Sequence, residues 1–477
     1  MYTVFILADQ HDAAYAGCYG GMTRTPSIDS LANDGIVFEN AYTPSPMCAP
    51  ARSCLFSNKY VHENKSWDNC FPYDGERDPG WGHCFREQGV PVDTIGKLDF
   101  MDQRDNGVGH MFHPYLRTSY DVTSLFRKPP LLLRPKYNMV NNWDVKVRES
   151  GESIDEPVVR ETKRWLDENR PSDRDWILNV NFEKPHSPWH ALSDKYNYYR
   201  DKIELSERYL QPESQLNPVD IAQSRQTCGF ILSNEQLKDC HAAYHAMVEE
   251  HDGLVGEILD MLKERGLYDD ALIIYSSDHG EMLRAHGAFE KSSLYEDSVH
   301  VPLIIKLPGQ DKKGTRVSTT VSLMDIFPTI ADVMGLTPMA EGHGLSLIPY
   351  IEDNTKKHPP VLSQSHANGR ITGTFLLAED EWRLLHYEDY GDLLFNLKAD
   401  PEQMHDLIKN PTSESEEVYH RMSAALAELV DTKKATEEAF ADQEALKMQM
   451  AKTGQLQIEL NKRGYDYIDG ELFYLPW

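Results

Sequence analysis

The stretch Ser45-Pro-Met-Cys-Ala-Pro-Ala-Arg52 places a cysteine, a proline and an arginine in C-x-P-x-R spacing beside the predicted start of a helix. About forty residues earlier, the apolar segment Thr3 to Leu7 leads into Asp9. A later apolar segment, Ala271 to Ser276, leads into Asp278-His279. Open α/β sheets present functional residues where their strands end. The cysteine motif therefore falls, along the chain, between two acidic strand ends.

The segments around this motif predict an α/β sheet. Apolar segments without alternation are typical of strands covered on both faces, and here they alternate with helical patterns. The predicted strands are Thr3 to Leu7, Trp176 to Phe182, Ala271 to Ser276 and Val301 to Leu307. The predicted helices are Ser27 to Asp34, Glu156 to Glu168, Lys238 to Arg265 and Met324 to Met334. This order places helices on both sides of the sheet.

The pattern changes after about residue 360, which predicts a catalytic domain over 1–360 and a second domain over 361–477. Closely spaced strands indicate a small antiparallel sheet, at Thr374 to Ala378, Trp382 to His386 and Leu393 to Asn396. Residues 413–462 have a helical composition, and an aromatic tail, Phe473-Tyr-Leu-Pro-Trp477, follows. We expect this tail to pack on its own chain or to join a second subunit in a homo-oligomer.

Composition limits the partners. The 477 residues carry a formal net charge of −28, which disfavours nucleic acids and anionic membranes. The N-terminus lacks a basic region and a cleavage site, and no apolar segment reaches bilayer length, so we predict a cytoplasmic protein with no membrane association. Seven cysteines without a C-x-x-C pair argue against a disulfide framework and a structural zinc site.

The two acidic strand ends offer oxygen and nitrogen ligands for one divalent cation. The pairs are Asp9-Gln10 and Asp278-His279. Each pair alone is ambiguous, because an aspartate after a strand is commonly a turn residue or a helix cap. His241 and His245 have the spacing of a helical metal pair but lack the adjacent glutamate of H-E-x-x-H, so we expect them on a helix surface.

The C-x-P-x-R motif at Cys48 to Arg52 resembles that of the sulfatase family, within the alkaline phosphatase superfamily. Thr25-Pro-Ser-Ile-Asp-Ser-Leu-Ala32 and Leu394-Phe-Asn-Leu-Lys-Ala-Asp-Pro-Glu402 are similar to scaffold segments of that family. Four further segments are similar to its active-site segments: Trp67-Asp-Asn69, Gly96-Lys97, Lys184-Pro-His-Ser-Pro188 and Phe289-Glu-Lys291.

The resemblance implies an alkaline phosphatase-like fold, with a large mixed sheet flanked by helices and a smaller C-terminal antiparallel sheet. It implies hydrolysis of a small organic or sugar sulfate, with Cys48 oxidised to formylglycine by a formylglycine-generating enzyme. A hydrated aldehyde supplies a diol, one hydroxyl of which attacks sulfur while the other later expels sulfate. The implied residues are Asp9, modified Cys48, Asp278 and His279 as metal ligands, with Arg52, Lys97, His186 and Lys291 catalytic and Gln10 and Asn69 close to the substrate.

Two departures from the family pattern affect these expectations. Asp99 stands where the family usually has a histidine in G-K-x-H, so Asp99 is the release base, a substrate contact or a structural loop residue. His110 is a candidate substrate contact that could supply the missing imidazole, with an ordinary loop role as the alternative. His279 stands where many calcium-dependent members have asparagine, a variant closer to choline sulfatases and phosphonate monoester hydrolases. Calcium is the predicted metal because oxygen ligands dominate, with manganese as the alternative.

Two other functions stay open at this point. The same diol and metal could attack phosphorus, which would make the chain a phosphodiester or phosphonate monoester hydrolase. Alternatively, Cys48 stays a thiol and the chain is a non-catalytic, metal-stabilised binding protein. The mass of a peptide containing Cys48 separates the second alternative from the enzymes.

Overall fold

The computed structural model describes residues 1–117, 120–128, 131–132, 145–227, 232–309, 312–462 and 474–475. Its centre is an eight-stranded mixed sheet in the order β11-β2-β10-β9-β1-β7-β3-β4. These strands are β1 (Tyr2–Asp9), β2 (Ile36–Tyr42), β3 (Val92–Met101), β4 (Met111–Arg117), β7 (Trp176–Pro185), β9 (Ala271–Ser277), β10 (His300–Lys306) and β11 (Thr315–Ser322). Short pairs elsewhere are β5 (Leu131–Leu132) with β16 (Tyr474–Leu475) and β6 (Lys146–Arg148) with β8 (His190–Leu192).

The central strands are covered on both faces, as their continuous apolar sequences predict. β1 is parallel to both β7 and β9, and alternate residues of β1 enter different cores. Phe5 and Leu7 pack in one hydrophobic cluster, and Val4 and Ile6 pack in the other. The parallel core strands therefore direct their carboxyl ends to one edge of the sheet.

Helices lie against both faces of this sheet and continue beyond it. They are α1 (Pro26–Asp34), α2 (Cys48–Ser57), α3 (Val61–Asn64), α4 (Trp81–Glu87), α5 (Glu156–Arg164), α6 (Ser193–Arg200), α7 (Glu207–Leu210), α8 (Pro218–Thr227), α9 (Asn234–Glu264), α10 (Glu296–Val299), α11 (Ile326–Met334), α12 (Ile348–Glu352), α13 (Ser413–Leu429), α14 (Thr432–Thr453) and α15 (Gln455–Lys462). None of the described helices combines the length and apolar composition needed to cross a membrane.

A four-stranded antiparallel sheet follows the large sheet. It consists of β12 (Val361–Ser365), β13 (Thr374–Glu379), β14 (Trp382–Tyr387) and β15 (Gly391–Asn396), in that order. The predicted second sheet is thus present, with one additional strand. The sheet shares a core with α2, α13 and α14, so the two predicted domains are packed together.

The predicted helical region after residue 412 consists of three helices, and capping residues mark the boundaries between them. Asp431 caps the start of α14 by accepting a hydrogen bond from the Lys434 backbone N–H at 3.0 Å. Gly454, at φ +77°, ends α14 in the left-handed conformation that glycine adopts readily. Within the tail segment, the two described residues, Tyr474–Leu475, pair with Leu131–Leu132 of the same chain.

The expected surface position of His241 and His245 is wrong. Both side chains are buried in α9. The Nδ1 atom of His241 lies 3.1 Å from the Tyr15 hydroxyl, and that of His245 lies 2.7 Å from the Thr23 hydroxyl. They join the long helix to the loop after β1, a role that helical spacing alone does not reveal.

Candidate active site

The carboxyl ends of β1, β7 and β9 bring distant polar residues to one edge of the sheet. Asp9 is the last residue of β1, and Asp278 follows β9 directly. β2 is antiparallel to β10, which is itself antiparallel to β9, so β2 also ends at this edge. The loop after β2 therefore delivers Cys48 to the two aspartates.

Cys48 is the first residue of α2, where the helix dipole favours negative charge. Its side chain is buried, and Sγ lies 3.2 Å from His279 Nε2 and 3.1 Å from Lys291 Nζ. Asp9 Oδ1 is 3.8 Å from the same sulfur. The residue predicted to become the nucleophile is thus at the centre of the charged groups.

Four buried residues form a group that fits a divalent cation. Asp9, Cys48, Asp278 and His279 each offer one ligand atom, and these atoms lie within 4.8 Å of one another. The other ring nitrogen of His279, Nδ1, lies 3.0 Å from the Gly280 carbonyl oxygen, so it carries the proton and leaves Nε2 as an acceptor. Two carboxylates, one imidazole and the position 48 side chain are a suitable donor set.

Arg52 holds the two aspartates from behind this group. Its Nε donates to Asp278 Oδ2 at 2.9 Å, and an Nη atom donates to Asp9 Oδ2 at 3.2 Å. The Oδ1 atoms of both aspartates are the ones near His279, each 3.7 Å from Nε2. Arg52 therefore uses one oxygen of each carboxylate and leaves the other for the cluster.

Lys97 approaches Asp9 from β3. Its ammonium lies 2.7 Å from Asp9 Oδ2, and its backbone carbonyl accepts a 2.6 Å hydrogen bond from Arg52. The preceding Gly96 has φ +84°, and a Cβ there would lie 2.0 Å from the Asn181 carbonyl oxygen. Glycine before lysine is therefore required by the close approach of β3 and β7.

Lys291 connects the cluster to His186 and Gln10. Its Nζ lies 2.8 Å from Gln10 Oε1 and 2.6 Å from His186 Nε2. His186 Nδ1 contacts the Ser187 carbonyl oxygen, which places the ring proton on Nδ1 and leaves Nε2 to accept from the lysine. Lys291 thus links the Cys48 sulfur to both His186 and Gln10.

The surrounding cations favour the anionic forms of Asp9 and Cys48, whereas Asp278 behaves differently. Burial alone raises the pKa of Asp9, but attraction to Lys97 and Lys291 outweighs it and holds that pKa well below its usual range. Burial and Asp9 oppose ionisation of Cys48, yet Lys291 and Lys97 lower the thiol pKa well below its ordinary value. For Asp278, burial followed by the charge of Asp9 raises the pKa to about 6.

The three other residues predicted for the site occupy different positions relative to the cluster around Cys48. Asn69 is buried and its Oδ1 accepts a 3.0 Å hydrogen bond from the Ala49 backbone, so it orients the start of α2. Asp99 is buried, with Oδ2 3.9 Å from Lys97 Nζ, which places it beside the cluster. His110 is exposed, and its backbone N–H donates to Asp93.

The structure does not bring His110 to the cluster, although the sequence suggests it as a replacement for the family histidine. His110 directly precedes β4, whose first residue, Met111, pairs with Thr94. Lys97 lies three residues further along β3, or roughly 10 Å at the usual strand rise. His110 is therefore displaced along the strand from the edge where the cluster lies.

Two residues of the site were not identified from the sequence. Asn181 Oδ1 accepts from Arg52 at 3.3 Å. Glu281 is buried, and its oxygens accept from the backbone N–H groups of Leu283 and Glu290 and from the Gln10 side chain. Burial, followed by repulsion from Glu290, raises the pKa of Glu281 to about 8. The position of Glu281 three residues after Asp278 was the available signal.

Two known protein families match the segments of the chain that form the site. The family model described as Sulfatase matches residues 2–336. A second, described as N-sulphoglucosamine sulphohydrolase, C-terminal, matches residues 284–432. Together these matches include both aspartates, Cys48 and the second sheet.

Among curated proteins, the chain is similar to arylsulfatase K of several vertebrates. It is 29% identical to the Homo sapiens protein over 429 residues, which cover 84% of this chain and 77% of the relative. It is 28% identical to the Danio rerio protein over 456 residues, which cover 90% and 83%.

Solved structures share the fold. A phosphonate monoester hydrolase of Agrobacterium radiobacter superposes with a TM-score of 0.70 at 22% identity, covering 90% of this chain and 96% of that one. A protein described as a 2-O GAG sulfatase superposes with a TM-score of 0.68 at 20% identity, covering 91% and 92%. At these identities the likeness concerns architecture.

Proposed function

Because this chain belongs to the sulfatase family and is a sulfuric ester hydrolase, we propose that it cleaves a small organic or sugar sulfate with a nucleophile derived from Cys48. The observation that carries this proposal is the buried cluster of Asp9, Cys48, Asp278 and His279, faced by Lys97 and Lys291. It joins an anionic metal site to cations at the place where a sulfate group would react.

The family implies a divalent metal and formylglycine, and the four-residue cluster suits both. Asp9, Asp278, His279 and the modified side chain at position 48 would hold the metal, and we propose calcium, with manganese as the alternative to be tested. When bound, the metal lowers the pKa of a hydroxyl at position 48 and so favours a strong oxygen nucleophile.

Maturation of Cys48 is part of the proposal. A formylglycine-generating enzyme, using dioxygen as the external oxidant, would oxidise Cβ of Cys48 to an aldehyde with loss of the thiol sulfur, and the aldehyde hydrates to a diol. One hydroxyl attacks the sulfur atom and the alcohol departs, after which the other hydroxyl loses its proton and expels sulfate, restoring the aldehyde. Neither a thiol nor a serine hydroxyl has this second oxygen.

The cations of the chain would hold the sulfate group during these steps. The two ammonium groups contact different members of the cluster: Lys97 contacts Asp9, and Lys291 contacts Cys48. Each can donate to a nonbridging sulfate oxygen. In its imidazolium form, His186 carries a second proton at Nε2, the atom that faces Lys291 in the structure, and it would donate that proton to the departing alcohol oxygen.

The test has a chemical part and a kinetic part. A tryptic peptide containing Cys48 should show the mass of the aldehyde and react with a hydrazide, and purified protein should contain one divalent metal per chain by elemental analysis. Turnover of 4-nitrophenyl sulfate should exceed that of bis(4-nitrophenyl) phosphate and should cease after chelation. A thiol at position 48 in a fully active preparation would overturn the nucleophile assignment.

A further inference from the structure

Lys291 lies near the end of a tightly turned loop. This segment, residues 280–292, directly follows His279, and we call it the Lys291 loop. Its two limbs are joined by the Met282 backbone N–H, which donates to the Glu290 carbonyl oxygen at 2.7 Å. Residues other than glycine rarely adopt the left-handed conformation, and such a backbone persists only where surrounding contacts hold it. Five residues of the loop adopt it, with φ between +41° and +75°: Leu283, Arg284, His286, Glu290 and Ser292.

The buried side chain of Glu281 holds this loop closed. Its Oε1 accepts hydrogen bonds from the backbone N–H groups of Leu283 at 2.9 Å and Glu290 at 2.8 Å. Its Oε2 accepts from the Gln10 side chain. Glu281 is 1% exposed, so these donors stand in place of water. One carboxylate therefore joins the beginning of the loop, the residue before Lys291 and the residue that follows β1.

Gln10 links Glu281 to the Lys291 ammonium. Gln10 Oε1 accepts from Lys291 Nζ at 2.8 Å, while Gln10 Nε2 donates to Glu281. An ammonium only donates and a carboxylate only accepts, so a single orientation of the amide satisfies both. The Gln10 backbone is itself fixed, since its N–H donates to Asp278 at 3.2 Å and its carbonyl oxygen accepts from the Tyr244 hydroxyl at 2.5 Å. The three side chains thus form a hydrogen-bonded chain with one direction.

The Lys291 ammonium depends on this chain for a fixed position. Within the described parts of the protein it also contacts Cys48 Sγ at 3.1 Å and His186 Nε2 at 2.6 Å. Both of these groups change during the proposed reaction, because Cys48 supplies the nucleophile and His186 transfers a proton. The Gln10 amide keeps its form throughout. A lysine side chain is flexible and ends in a point charge, so a constant partner decides where that charge stands.

We propose that Glu281 is a positioning residue for the hydrolysis: by holding the Gln10 amide and closing the Lys291 loop, it places the Lys291 ammonium against a nonbridging oxygen of the substrate sulfate. This inference rests on the proposed function, in which Lys291 binds that oxygen. Glu281 acts through Gln10 and Lys291 and not by contact with the sulfate group. The direction of the hydrogen-bonded chain makes a specific test of this role possible.

The experiment exchanges the two partners of the hydrogen bond between Gln10 and Glu281. In Glu281→Gln, two amide NH2 groups face each other, or the Gln10 amide turns and presents its NH2 group to Lys291, and either arrangement disturbs the ammonium. The double variant Gln10→Glu with Glu281→Gln reverses this hydrogen bond, so that a carboxylate at position 10 accepts from both the new amide and Lys291. It retains the net charge and the side-chain lengths of the wild type.

The mature, metal-loaded enzyme is assayed with 4-nitrophenyl sulfate, an activated substrate that depends little on a general acid. The pH is 9, so that the Glu281 carboxyl, whose pKa burial and then repulsion from Glu290 raise to about 8, is ionised in the wild type. Glu281→Gln should lower kcat at least about tenfold with a smaller change in KM. Gln10→Glu alone should also be slow, because two carboxylates then face each other. The double variant should raise kcat at least about fivefold above Glu281→Gln.

Asp252→Asn is the matched control. Asp252 is likewise a buried carboxylate that accepts from two backbone N–H groups, those of Ser27 at 3.1 Å and Ile28 at 2.8 Å, but it joins α9 to α1. This substitution should lower Tm and leave kcat within about twofold of the wild type. A merely structural role of Glu281 would give the same result as this control, with no recovery of kcat in the double variant.

Two results would overturn the positioning role: a wild-type kcat in Glu281→Gln, or a double variant no faster than Glu281→Gln. Should Glu281→Gln fail to fold, Gln10→Met, which removes the amide and leaves Glu281 in place, must show the same loss of kcat for the role to stand. If the wild type hydrolyses no sulfate ester, the proposed function fails instead, and crystal structures still test the positioning. Lys291 Nζ must then leave Gln10 in Glu281→Gln and return to position 10 in the double variant, and an unmoved ammonium in Glu281→Gln would reject the inference.

Discussion

Arg52→Lys tests whether Arg52 orients the metal ligands or merely neutralises them. In the structure one guanidinium bonds Asp278 Oδ2 at 2.9 Å and Asp9 Oδ2 at 3.2 Å, which turns both Oδ1 atoms toward His279. A lysine keeps the positive charge, but a single ammonium lacks the fork that holds both carboxylates in fixed positions. The charge is thus constant while the orientation is lost.

The expected magnitude follows from the contacts that disappear. Arg52 also bonds the Lys97 carbonyl and the Asn181 side chain, at 2.6 and 3.3 Å, and a lysine at position 52 cannot reproduce all four bonds. Loss of groups that orient metal ligands typically weakens metal binding about 10- to 100-fold. We expect a weakening of this size for Ca²⁺, together with a lower Tm of the metal-free protein.

The assay is calorimetric titration of Ca²⁺ into metal-free protein, with Mn²⁺ in parallel. Wild type and Arg52→Lys are compared with a control, Arg383→Lys, at the same ionic strength, since charge interactions depend on salt. Arg383 is also fully buried, but it bonds Glu296 and Tyr42 instead of the metal ligands. The control should match wild type. An Arg52→Lys protein that folds and binds Ca²⁺ within about twofold of wild type would refute the orienting role.

Four further outcomes are expected. Cys48→Ala should abolish turnover of 4-nitrophenyl sulfate without changing the circular dichroism spectrum, and activity near that of the parent would contradict the nucleophile assignment. His186→Gln should reduce turnover of alkyl sulfates about 10²- to 10⁴-fold but that of activated aryl sulfates much less, and equal losses would exclude the general acid. Asp99→Asn should weaken substrate binding without a burst of alcohol, because Lys97 neutralises Asp99 at 3.9 Å; a burst in single-turnover measurements would make Asp99 the release base instead. Glu281→Gln should lower kcat more than it raises KM, since Glu281 fixes the Gln10 amide that contacts Lys291, whereas a change in Tm alone would indicate a purely structural role.

The strands that the sequence predicts are the apolar ones at the centre of the sheet. β1, β7, β9 and β10 are almost entirely buried, and most of their residues are apolar. β3 was not predicted, because Asp93, Gly96, Lys97 and Asp99 interrupt its apolar pattern. Gly96, Lys97 and Asp99 lie where the strand reaches the active site, whereas Asp93, near its start, accepts from the Trp165 indole and the His110 backbone. Residues that serve the site therefore help to obscure the strand.

The sequence predicts the site residues whose positions follow from the direction of the strands. It does not predict those whose positions depend on the register between two strands. Asp9, Cys48 and Asp278 come together because their strands are parallel, as the α/β pattern implies. The place of His110 depends on which residue of β3 pairs with Met111, which no local pattern reveals.

The contact between α14 and the loop after α3 makes the C-terminal region part of the catalytic unit. Asp442 accepts from the Trp67 indole N–H at 2.8 Å, and Gln443 donates to Asp68, both in the segment that ends at Asn69. Truncation before α14 would leave an indole donor and a buried carboxylate without these partners. We therefore expect 1–360 and 361–477 to unfold in a single cooperative transition, and a fragment limited to the large sheet to lack a properly formed nucleophile loop.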